Sequence, residues 1–174
     1  MAEAWHASGP TTIQVKTTYT DGSWSTFGRT NNEELAKFEV EDLHRDFTRN
    51  DLGDQVAEFI VTGSRCFVEI VLESWDETLF EELIARTRLT ATTSASANEG
   101  KHGIVGKLGV TDNMIFGLKI LTSRSGERSF SFPRCRFAAP VRKEEFGNVM
   151  VKLRLLVEAL PDGSGVIYTA STNS

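Results

Sequence analysis

Cys66-Phe67-Val68-Glu69-Ile70-Val71-Leu72-Glu73 decides the fold class. Successive side chains of an extended chain point to opposite faces, so this run separates cleanly into two rows. Cys66, Val68, Ile70 and Leu72 make a wholly apolar core face. Phe67, Glu69, Val71 and Glu73 make the other, half apolar with two carboxylates, which suits a surface partly covered by something else. The same period recurs downstream. Met114, Phe116, Leu118 and Ile120 alternate with Ile115, Gly117, Lys119 and Leu121. After the hairpin turn Ser123-Arg124-Ser125-Gly126, Phe130 and Phe132 alternate with Ser129 and Ser131. Pro133 and Pro140 bracket an arginine-rich stretch. A long strand follows, with Val149, Val151, Leu153, Leu155, Val157 and Ala159 on one face. Pro161-Asp162-Gly163 turns it back into Val166, Ile167 and Tyr168, beyond which the tail is expected to fray.

Upstream, a strand is expected over Leu35–Val40, and Phe59, Ile60 and Val61 run into Thr62-Gly63-Ser64, read as a turn. Ile13 and Val15 alternate with Thr12, Gln14 and Lys16, which fits a short edge strand or an arm. Four glycines (Gly100, Gly103, Gly106 and Gly109) surround a possible short strand over 104–110. One helix stands out. Ser74-Trp75-Asp76-Glu77 has capping-box spacing, Leu79, Phe80, Leu83 and Ile84 recur at one-turn intervals, and Arg86 and Arg88 close it in the sense the helix dipole favours. The expected architecture is mainly β: a β-sandwich or open β-barrel with one flanking α-helix.

The 174 residues, 40% hydrophobic and 25% charged, fit one globular domain with its own core and exclude wholesale disorder or a collagen-like repeat. Residues 1–30 read as a polar N-terminal arm whose Trp5, Trp24 and Phe27 either cap the core or dock on a neighbour. Residues 31–174 read as a single β domain with an acidic loop at 41–54 and a flexible small-residue loop at 90–103. No apolar run reaches a membrane span, no secretory signal is visible, and two cysteines, Cys66 and Cys135, make no disulfide framework.

The charge distribution is asymmetric. From Glu33 to Glu82 there are 15 acids against 4 bases, a net of −11, while the rest of the chain nets +6. Unlike patches steer association, although a solvated acidic face on a monomer has the same composition. No basic stripe interleaves with aromatics along the sequence, which argues against a dedicated nucleic-acid binder. His6, His44 and His102 stand far apart without metal-ligand spacing. Cys66 starts a core-facing row and reads as a small buried hydrophobe. The glycines at 103–109 lack the GK[ST] of a phosphate loop. No catalytic motif emerges, and the expectation is a protein without enzymatic activity, cofactor or metal.

The order of parts resembles the major tail tube proteins of long-tailed, non-contractile bacteriophages. The resemblance spans about residues 35–170. It rests on Thr62-Gly63-Ser64, Cys66 to Leu72, Asp76-Glu77-Thr78-Leu79, Arg128-Ser129-Phe130-Ser131-Phe132-Pro133-Arg134, Val157-Glu158-Ala159-Leu160-Pro161-Asp162-Gly163 and Ile167-Tyr168-Thr169. It implies a structural virion protein, made in the host cytoplasm. Its hexameric rings stack head to tail into a tube, with strands joined across each ring around a channel for DNA ejection. The implied partners are other copies of the chain, the tail tip, tape measure and tail terminator proteins, and DNA in transient, non-specific passage, with no membrane. Within that picture, the polar faces carrying Glu69, Glu73, Lys119, Ser129 and Ser131 are expected to line the channel, since carboxylates repel phosphate. Leu43, Asp46, Phe47, Asp51 and Leu52 of the acidic loop are expected to contact the next ring. Alternatives are another virion part (a contractile-tail tube, tail terminator or head decoration protein) or a monomeric β-sandwich binding module.

Overall fold

The alternating run at Cys66 is the C-terminal half of a strand more than twice its length. In the computed structural model, which describes residues 9–20, 22–30, 34, 36–48, 56–88, 115–138, 143–146 and 151–172, the elements are β1 (Thr12–Lys16), β2 (Ser25–Thr30), β3 (Lys37–Thr48), β4 (Val56–Trp75), α1 (Glu77–Arg88), β5 (Phe116–Leu121), β6 (Arg128–Phe137), β7 (Lys143–Phe146), β8 (Val151–Leu160) and β9 (Thr169–Thr172). Six of the strands close on themselves in the order β4-β2-β1-β5-β6-β8. The seam is β8 against β4, from Cys66 opposite Ala159 to Leu72 opposite Leu153. Every pairing is antiparallel. The chain is therefore mainly β with a closed six-stranded barrel, where the alternation alone was equally compatible with an open one.

Alternation fills the interior. The Cys66, Val68, Ile70 and Leu72 row is fully buried, and it meets Leu153, Leu155, Val157 and Ala159 of β8 in one core cluster. Ile13, Val15 and Phe27 belong to the same cluster. Within residues 1–30, β1 and β2 are barrel strands: β1 is paired on both edges, by β2 and β5, because its two apolar residues need the barrel interior. Helix α1 buries Phe80, Leu83 and Ile84 in this core, Phe80 meeting the rings of Phe27 at 6.0 Å and Phe137 at 6.1 Å. Its cap is Asp76 rather than Ser74. The Leu79 N–H donates to Asp76 Oδ1 (3.0 Å), while Ser74 is still in β4, opposite Arg29. Glu77 instead accepts from the Trp75 indole at 2.6 Å.

Three local expectations change for physical reasons. Thr62-Gly63-Ser64 is not a turn. β4 runs through it, and the register steps from Leu43 opposite Gly63 to His44 opposite Val61, so Thr62 is the extra residue of a bulge. Its hydroxyl donates to the Leu43 carbonyl at 3.1 Å, which satisfies the local geometry without ending the strand. Pro133 does not end β6 either, because it lies where the β5–β6 register is shifted and no ladder donor is required. The tail does not fray at Tyr168. Residues 169–172 pair with β6, and the Tyr168 ring packs against Phe38 (5.4 Å) and Phe132 (6.0 Å). The turn before it is held by Asp162 Oδ1, which accepts from the backbone N–H of Ser164 (2.8 Å) and Val166 (2.9 Å).

Residues 41–48 are not a loop. They are the outer half of β3, paired with β4 as far as Thr48 opposite Val56. β8 engages β4 only from Cys66 onward. The remainder of β3–β4 leaves the barrel as a two-stranded ribbon, about 30 Å long at ~3.3 Å per residue.

Candidate functional site

A two-stranded ribbon standing alone in water is marginal, because neither face is covered. This one carries exposed apolar groups: Val40 at 42%, Phe47 at 41%, Ile60 at 56% and Val61 at 55% of their full exposure. The outer edge of β3 pairs with no described strand, and neither does the edge of β4 opposite β3 before Cys66, so among the described residues these edges have no ladder partner.

Register assigns the faces of the ribbon. Phe38, Val40, Asp42, His44 and Asp46 lie on one side of β3, opposite Val68, Cys66, Ser64, Val61 and Phe59 of β4. Beyond the barrel, among the described residues, this face carries two carboxylates and no lysine or arginine. Ser64 Oγ donates to Asp42 Oδ1 at 2.6 Å, and His44 Nε2 stands 4.0 Å from Asp46. The other face is mixed: Lys37, Glu39, Glu41, Arg45 and Phe47 lie on β3, with Arg65, Phe67 and Glu69 on β4. Among the residues expected to contact a next ring, Leu43 and Phe47 are on this mixed face and Asp46 is on the acidic one. Asp51 and Leu52 lie outside the described residues.

The five residues expected to line a channel do not share one wall. Ser129 is 1% exposed and its hydroxyl has no hydrogen-bond partner, so it faces protein despite its polarity; on β6 it pairs with Ser171 of β9. Glu69 and Glu73 lie on the outward row of β4, Glu69 with Arg154 Nη1 at 3.7 Å. Lys119 and Ser131 are opposite each other on β5 and β6. β4 and β5 are three strands apart in a ring of six, so Glu69 and Lys119 point away from opposite sides of the barrel.

The outer wall of β1 and β5 holds a feature that the sequence does not reveal. Trp24, from the β1–β2 connection, lies on Gly117 of β5, where an added methyl would meet the indole Cη2 and the Lys16 Cβ at 3.3 Å each. The ammonium groups of Lys16 and Lys119 flank this ring at 5.1 and 5.8 Å from its centre. In the same connection Tyr19 takes the Arg134 guanidinium at 5.2 Å, and Arg134 Nη1 also donates to the Pro161 carbonyl at 3.1 Å. Three cations and two rings from separate segments thus form a basic aromatic patch. Among the described residues none of the three cations has an ion pair. The cue available in the sequence was Gly117 interrupting an apolar run, which marks a close approach.

On β8, Glu34 accepts from Lys152 Nζ (3.1 Å) and Arg154 Nη2 (2.7 Å), and these two bonds hold its carboxyl below the ordinary 4.5. Arg136 Nε donates to Glu158 at 2.6 Å across β6–β8. Both thiols are buried, and desolvation pushes them up, Cys135 well above its usual value. Ala159 pairs with Cys66 on one side and Cys135 on the other. Their Cα atoms are therefore about 10 Å apart, two strand spacings, and beyond disulfide reach. A shallow cleft of about 480 Å³ between β2 and the end of β4 has only Arg29 and Asp76 as charged lining groups. Among the described residues no cluster of three His, Cys, Asp or Glu side chains forms a metal site, and no helix is long and apolar enough to cross a membrane. No protein-family model and no curated protein matches the chain.

Proposed function

We propose that this chain is a structural subunit that assembles with copies of itself, as the tube subunit of a phage tail. The observation that carries the reading is the β3–β4 ribbon, which leaves the barrel with apolar side chains and strand edges uncovered. A monomeric module gains nothing from such a projection, since exposed edges invite unwanted pairing. A subunit in a ring covers it. Head-to-tail contacts repeat because the two surfaces that meet are unlike, and a closing rotation turns that repetition into a ring. Stacked rings extend the same logic along an axis and enclose a channel. A channel that passes DNA has to release it, so Glu69 and Glu73 are the residues assigned to its wall. A wall of lysine and arginine would retain phosphate through counterion release.

Sedimentation velocity of the full chain across a wide concentration range, with negative-stain imaging of the same samples, tests the reading. Rings or tubes are the expected result. A species that stays near 19.3 kDa at the highest concentration, even after a preformed tip complex is added as nucleus, refutes it. Isolated rings that never stack would favour a tail terminator.

A further inference from the structure

We infer that the basic aromatic patch of Lys16, Trp24 and Lys119 is the seat for the acidic face of the β3–β4 ribbon of a second copy of this chain. This rests on the assembly reading and names the two surfaces that meet. On the ribbon face Asp42 and Asp46 are exposed with His44 between them on β3 and the exposed Val61 opposite His44 on β4, and among its described residues there is no lysine or arginine. The patch has two ammonium groups against one indole and no carboxylate paired to either among the described residues. Each surface supplies what the other lacks. Carboxylates reach the ammonium groups, and the apolar side chain between them covers the indole that the lysines flank. Complementary charges across an interface steer the encounter and fix its register.

The two surfaces cannot satisfy each other within one molecule. The ribbon continues β3 and β4, whereas the patch stands on β1 and β5, and β5 is three strands from β4 around the barrel. The ribbon points away from its own patch, so contact requires a neighbour. A contact between unlike surfaces on opposite sides of a subunit is heterologous and propagates. Gly117 has a part in this: a methyl group there would crowd the Trp24 indole and the Lys16 Cβ at 3.3 Å each, so the absence of a side chain lets the ring lie close on β5.

A charge exchange tests the inference on the full chain. Lys16→Glu with Lys119→Glu, and separately Asp42→Lys with Asp46→Lys, should each raise the apparent dissociation constant of self-association at least tenfold, about 1.4 kcal/mol. All four substitutions together should restore most of it. Lys16→Gln with Lys119→Gln should fall between wild type and reversal, and far-UV melting curves verify that every variant is folded. If wild type assembles and the fourfold variant is no better than either pair, the inference is overturned while the assembly reading stands. The same holds if either reversed pair assembles like wild type. If wild type stays monomeric, both are overturned together. A fluorescent oligothymidine provides the remaining arm. Should the Lys16/Lys119 reversal abolish its binding yet leave self-association intact, the patch is a nucleic-acid surface and the inference is wrong.

Discussion

Gly28→Ala should destabilise the protein, although glycine to alanine in a compatible strand usually stabilises by about 0.4–1 kcal/mol through the unfolded chain. Gly28 faces Trp75 where β2 joins β4, and the pairing there has three residue pairs with an irregularity before Thr30. A methyl group at Gly28 would overlap the Ser74 carbonyl oxygen and stand 3.2 Å from Leu72 Cδ1 and Trp75 Cα. Two of these three are backbone atoms, which cannot rotate away, so the strands have to separate. Overpacking of this kind costs about 1–3 kcal/mol. Weakening one ladder hydrogen bond adds about 1 kcal/mol. Less the unfolded-chain gain of about 0.4–1 kcal/mol, the net of about 1–3.5 kcal/mol corresponds to a melting temperature lower by about 2–14 °C for a chain of this size. Urea denaturation followed by far-UV circular dichroism should show a lower midpoint with an unchanged slope. Gly63→Ala is the internal control. Nothing lies within 4 Å of a methyl group there, so its midpoint should stay or rise slightly. If Gly28→Ala were as stable as wild type, β2 and β4 would not meet this closely, and the β2–β4 contact in the barrel wall would be wrong.

Other consequences follow from the same geometry. Asp76→Ala removes the acceptor of the Leu79 N–H and should cost about 0.5–2 kcal/mol, with Asp76→Asn losing less, both read from urea midpoints. Glu34, held below 4.5 when folded, binds fewer protons than it does in the unfolded chain, so its contribution is fully present above 4.5 and disappears as pH falls through the folded value. Glu34→Gln should therefore flatten the acid side of the stability–pH curve; midpoints that fall with acidity as steeply as in wild type would contradict the Lys152 and Arg154 bonds. Cys66 and Cys135 should resist a thiol-reactive dye in the native protein and react fully in urea, since burial disfavours both thiolates. Rapid native labelling would mean that the barrel opens locally.

The strands were legible where one face is buried and the other wet. The Cys66 run and the Leu153, Leu155, Val157 and Ala159 part of the β8 row are read correctly from alternation, because these residues of paired strands point together into the core. Reading failed where polarity and position disagree. Thr62-Gly63-Ser64 has turn composition but absorbs one extra residue as a bulge. Ser129 has surface composition but is buried, in a strand whose neighbour there, β9, comes from the far end of the chain. Ser74 has the spacing of a cap, yet strand pairing with Arg29 claims it and leaves the cap to Asp76. The acidic stretch at 41–48 lacks the clean alternation of a half-buried strand because, as a ribbon, it has no buried side.

The amino-acid order alone determined the mainly β character, the apolar rows and the single helix, because these depend on local period and on which side chains avoid water. It also determined the separation of acidic from basic segments. Only the tertiary structure decided that β8 returns to β4 and closes the barrel, since antiparallel partners distant in sequence are selected by mutual fit of two apolar faces. The same long-range pairing carries part of β4 past its last barrel neighbour as a bare ribbon. It also brings Lys16, Trp24 and Lys119 onto one wall, a juxtaposition that no local pattern encodes.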